Sequence, residues 1–173
     1  MNARAKILGH PIHQMLIVFP LGLLATSIVF DTVYMVTDNP RWADITYVMI
    51  SAGIVTGLLA AIFGLVDWLA IPKGTRAKRI GAFHGITNVL VVGVFAISWS
   101  LRYGNIAYEG VAPYVLAIIG VALAMVGGWL GGELVDRLAV GVDDGAHLDS
   151  PSSLSGRPAS EHASASQVSV ART

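Results

Sequence analysis

Four apolar runs dominate this chain, and each is long enough to cross a bilayer. They lie at about 12–36, 45–71, 82–101 and 111–134. A helix needs about 20 mostly apolar residues to span the hydrocarbon core, and a helix satisfies its own backbone polar groups in lipid. Composition agrees. Only 13% of the 173 residues are charged, about half of the roughly 25% usual in soluble domains, and the charges are bunched between the runs. The expected fold class is all-α, an integral membrane four-helix bundle over 1–140. Arg4 and Lys6 ahead of the first run, with Ala25-Thr26-Ser27 within it, also fit a cleaved signal peptide. The apolar stretch continues to Val36, past the usual reach of about 7–15 residues for such a segment, so a spanning helix is expected instead.

Four crossings put both ends of the chain and the middle loop on one side. That side carries Arg4, Lys6, Lys73, Arg76, Lys78, Arg79 and Arg137; the other carries only Arg41 and Arg102. The positive-inside rule then predicts cytoplasmic termini for a multi-pass protein of the cell (inner) membrane. Beyond 140 the composition turns to Ser, Ala, Asp and Pro without apolar periodicity. Such a segment buries too little to fold alone, so 141–173 is expected to be a disordered cytoplasmic tail. His147 and His162 fall there and receive no role. Basic and acidic residues balance at 11 each, which removes any bulk electrostatic case for nucleic acid; the bilayer is the expected partner. Cysteine is absent, so disulfides, thiolate metal sites and iron–sulfur ligation by this chain are excluded.

Few polar groups remain inside the runs, and ionisable residues there usually face a partner or a cavity. His10, His13, Asp67, His84, Glu133 and Asp136 fall near one membrane face, Asp31 and Arg102 near the other. His13 and Asp31 are 18 residues apart, as are His84 and Arg102. Eighteen residues are five full helical turns, so each pair shares a face. If the first and third helices face each other, one seam carries a histidine pair at one end and an Asp–Arg pair at the other. Asn88 stands one turn from His84. Pro20 should kink the first helix and free the carbonyl of Leu16. Gly53, Gly57, Ala60 or Ala61 and Gly64 form one small-residue stripe; Gly120, Ala124, Gly128 and Gly132 form another, and both read as close helix packing.

Three readings of the histidines stand side by side. A b-type haem would take His13 and His84 as axial ligands, with Met15 and Phe19 lining its pocket and Lys73, Arg76, Lys78 and Arg79 meeting its propionates. A transition metal ion would draw on His10, His13, His84 and Asp67, or on Glu133, an N/O set that suits zinc, iron or copper. With His13 and His84 as axial ligands, Asp67 and Asn88 would orient them. A structural or accessory subunit would use the same groups as a hydrogen-bonded seam. A small transporter is a fourth option, weakened by the apolar middle of the bundle. No soluble catalytic domain is visible, and no reaction is assigned.

The opening HPIHQMLIVFPLGLL, with the pattern HPxHxxxxxFPxGL, resembles a bacterial family of predicted four-helix membrane proteins of unknown function. Phe30-Asp31, AAIFGLVDWLAIP with its GxxDW at Gly64–Trp68, and HGITN at His84–Asn88 follow in order, so the resemblance covers about Ile7 to Arg137. Some members of that family look fused to Rieske or cytochrome c-like domains. The resemblance therefore implies electron transfer near a membrane, with a redox partner protein supplying what this chain lacks; the two glycine stripes separately allow a homo-oligomer. It carries no established catalytic residues.

Overall fold

The computed structural model describes residues 1–108 and 110–162. A two-stranded hairpin, β1 (Lys6–Ile7) with β2 (His10–Pro11), opens the chain and runs straight into helix. The helices are α1 (Ile12–Leu16), α2 (Val18–Thr37), α3 (Pro40–Ala70), α4 (Arg76–Ser100) and α5 (Ala112–Gly132). A π-helical turn, Glu133–Arg137, extends the last of them. Four stretches are long and apolar enough to span: Ile12–Thr37, Pro40–Ala70, Arg76–Ser100 and Ala112–Arg137.

α3 and α4 begin earlier than their apolar runs because caps, not hydropathy, set their starts. The Asn39 side chain accepts the Arg41 N–H at 3.1 Å, and Pro40 takes the first turn, where its missing N–H is harmless. Thr75 caps α4 by accepting the Lys78 N–H at 3.1 Å, so α4 starts in the basic segment before lipid is reached. The first span is interrupted at Ile17, in the turn before Pro20, where the distortion expected from that proline falls. The reason is local: Pro20 cannot donate to the carbonyl of Leu16, and its ring crowds the turn before it.

The first span packs along α3 and α4 packs along α5; contacts between α3 and α4 and between α2 and α5 close the ring. The first and third spans therefore lie on a diagonal, meeting only through long side chains. Leu24, Ile50, Val91, Phe95 and Ala117 fill the middle. Close approach is bought with glycine. A Cβ on Gly53 would sit 2.5 Å from Leu24, and one on Gly120 would sit 2.6 Å from the Phe95 ring. The expected second stripe is corrected here. Gly128 faces open space, while Gly127 and Gly131 pack against Asn88 and His84. Steps of four residues drift about 40° around a helix, so the packed face follows a step of three after Ala124.

Large apolar side chains such as Val29, Leu58, Ile62, Val89 and Met125 stay exposed around the ring, which suits a lipid-facing surface. Beyond the π turn, residues 141–162 form irregular turns and one 3-10 turn, Ser153–Ser155. They lie against the opening hairpin. Gly141 N–H donates to Met1 O at 2.9 Å, Ser153 Oγ donates to Leu8 O at 3.0 Å, and Lys6 pairs with Asp143. The remainder of the expected disordered tail, 163–173, lies outside the described residues.

Candidate functional site

The two polar layers occupy opposite ends of the bundle. In the first, His13 projects from α1 and its Nδ1 lies 2.8 Å from Ala60 O. His84 projects from α4 and its Nδ1 lies 2.9 Å from Gly127 O. A carbonyl only accepts, so in both rings Nδ1 carries a proton, and in the neutral imidazole Nε2 then keeps the lone pair. A mid-helix carbonyl has a second lone pair, which lets it serve its own helix and an imidazole together. Glycine makes the reach short enough. A Cβ on Gly64 would stand 2.8 Å from His13 Nδ1, and one on Gly131 would stand 3.2 Å from His84 Cε1. The ring centroids are 6.1 Å apart with planes at 87°. Asn88 Nδ2 donates to His84 O at 2.8 Å, and its amide lies across the ring, 3.3 Å from Nε2. Among the described residues His13 Nε2 has no hydrogen-bond partner.

The other expected ligands stand elsewhere. Asp67 Oδ1 accepts the backbone N–H groups of Arg4 and Ala5 at 2.7 and 3.0 Å, which ties the start of the chain to α3. His10 is exposed, with Nε2 3.3 Å from Ser153 Oγ. Glu133 pairs with Arg76. Among the described residues no three His, Asp or Glu side chains gather around one point. Met15 and Phe19, expected to line a pocket, are half exposed and face away from the bundle. Of the four cations expected to meet propionates, Arg76 is held by Glu133. Lys78 donates to Trp68 O at 2.7 Å and lies 3.9 Å above the Trp68 ring.

The second layer is dry. Asp31 and Arg102 are 0% exposed and meet in a two-pronged ion pair, both N–O distances 2.7 Å. Arg102 also donates to Ser98 Oγ at 3.2 Å, Ser98 donates to Pro113 O at 2.7 Å, and the guanidinium lies 4.5 Å from the Tyr108 ring centroid. Burial, then the neighbouring Asp31 charge, pushes the Tyr108 hydroxyl up to about 12.

The helical spacings found both contacts. They missed the carbonyls of Ala60 and Gly127, which no side-chain pattern reveals, and Tyr108, which sits in a loop. A cleft of about 310 Å³ opens between the hairpin and residues 141–159, lined by His10, Gln14, Asp143, Ser153 and Arg157. A second, of about 280 Å³, opens at the π turn. Neither is lined by His13 or His84.

A family model described as predicted membrane protein (DUF2231) matches residues 9–144. No curated protein and no solved structure matches the chain.

Proposed function

The chain belongs to the DUF2231 family of predicted membrane proteins, and from that premise we propose that it holds a transition-metal ion between His13 and His84. The observation that carries the reading is the shared tautomer. Each imidazole gives its Nδ1 proton to a backbone carbonyl of the neighbouring helix; His13 Nε2 is without a hydrogen-bond partner among the described residues, and His84 Nε2 has the Asn88 amide 3.3 Å away, which an ion would displace. Two imidazoles bonded to one ion at about 2.0–2.1 Å put their ring centroids roughly 5–6 Å apart. The separation of 6.1 Å is close to that. Imidazole suits zinc, copper and iron. Two protein ligands leave coordination positions open, the mark of an exchangeable or reactive site rather than a closed structural one. Asn88 orients His84, while Asp67 holds the segment leading to His13. His10, exposed three residues before His13, would be a peripheral donor.

A haem is the alternative occupant of the same Nε2 atoms, since Gly64 and Gly131 press on the Nδ1 sides of the two rings. In this reading the ion serves electron transfer with a partner protein or a second copy of the chain. The site would lie at the cytoplasmic face of the inner membrane, on the side where basic residues cluster.

The test is elemental analysis of the full chain in detergent after dialysis against zinc, copper or iron salts. About one ion per chain is expected, lost in His13→Ala and in His84→Ala with helicity retained. A reduced-minus-oxidised spectrum with Soret and α bands would overturn the ion in favour of haem. A second reading, a structural pin, is favoured by the two carbonyl hydrogen bonds themselves. It would be established by the same variants melting earlier while the wild type holds no metal.

A further inference from the structure

We infer that the cleft at the end of α5 binds the headgroup of a lipid that carries both a primary ammonium and a phosphodiester. The cleft, about 280 Å³, is lined by Trp129, Gly132, Glu133, Asp136 and Arg137. The π-helical turn Glu133–Arg137 forms one wall. Gly132 has no side chain to fill the floor, and the Asp136 carboxylate lies over it, 3.9 Å from where a Cβ would stand.

Charge selects the ligand. Glu133 is held by Arg76. Asp136 and Arg137 are exposed, and among the described residues neither makes an ion pair. The cleft therefore offers one free anion beside one free cation. A purely anionic or cationic ligand would leave one of them uncompensated, whereas a zwitterion answers both. Arg137 matches a phosphodiester. Asp136 accepts hydrogen bonds, which a primary ammonium can donate and a quaternary one cannot.

The surroundings make the ligand a lipid rather than a free headgroup. Trp129 is 66% exposed on the cleft wall, and Met125, one turn deeper along α5, is 73% exposed. An indole at this depth suits the headgroup boundary, and the exposed face of α5 gives the acyl chains a path.

Binding of phosphatidylethanolamine, phosphatidylglycerol and phosphatidylcholine with matched chains to the delipidated full chain, read by native mass spectrometry, tests this. The ethanolamine lipid should bind about tenfold tighter than either other lipid, the worth of one charge-assisted hydrogen bond. Asp136→Asn should erase that preference, and Arg137→Gln should weaken all three lipids together, since each carries the phosphodiester. Gly132→Val should fill the floor and displace all three with helicity unchanged. Tightest binding of phosphatidylglycerol, equal binding of the three lipids, or an unchanged preference in Asp136→Asn would each overturn the inference.

Discussion

Asp31 and Arg102 are the residues this bundle tolerates losing least. Both are fully buried, and each is the other's main partner. Breaking such a pair from one side costs about 3–5 kcal/mol because the remaining charge is stranded, while replacing both with apolar groups is often neutral. Asp31→Ala should therefore lower the melting temperature in detergent sharply, and Asp31→Leu with Arg102→Met should recover most of it. Gly64→Ala should cost about 1–3 kcal/mol, since its Cβ would stand 2.8 Å from His13 Nδ1; loss of metal retention alongside would tie the effect to the ring. Tyr108 supplies a pH signature. Burial pushes its hydroxyl up to about 12 from the usual 10.0. The folded chain keeps that proton to higher pH than the unfolded chain, so the neutral phenol's contribution is whole below pH 10 and fades as pH climbs toward 12. Thermal melts of wild type should fall more across that window than those of Tyr108→Phe. At this scale much was legible, because a spacing of 18 residues is simple helix geometry. The hydrogen bonds of His13 and His84 were not, because their acceptors are backbone atoms with no signature of their own.

Hydropathy located the helices well and missed the starts of two, α3 and α4. An apolar run reports where lipid is, and a helix stops where its capping allows, so α4 begins at Arg76 although its apolar run starts near 82. Gly120 and Gly128 look alike in the sequence, yet one faces Phe95 and the other faces nothing. Gly120→Ala should force α4 and α5 apart and cost about 1–3 kcal/mol. Gly128→Ala should leave the melting temperature unchanged or raise it slightly, since alanine is the better helix former by about 1 kcal/mol. Equal effects of the two would contradict the assigned faces. The broken first span belongs to this scale too. Pro20 announced a distortion, but only the packing of α1 on α3 shows that it falls at Ile17, between the turn carrying His13 and the rest of the span.

The whole molecule is a ring of four spans with one polar layer at each end and an apolar plug between them. Orientation can be read directly because the chain contains no cysteine. A single cysteine replacing Asn105 should react with an impermeant maleimide on intact cells, and one replacing Gly74 should react only after lysis; the reverse pattern would invert the topology. The plug of Leu24, Ile50, Val91, Phe95 and Ala117 also has an electrical consequence. A transmembrane potential falls mainly across the low-dielectric part of its path, and a full crossing is worth about 2.3 kcal/mol per charge for each 100 mV. A cation held by His13 and His84 as proposed would stop short of the plug and traverse little of that field. Its occupancy would then be set by concentration and ligand chemistry, with the energised state of the membrane leaving it almost untouched.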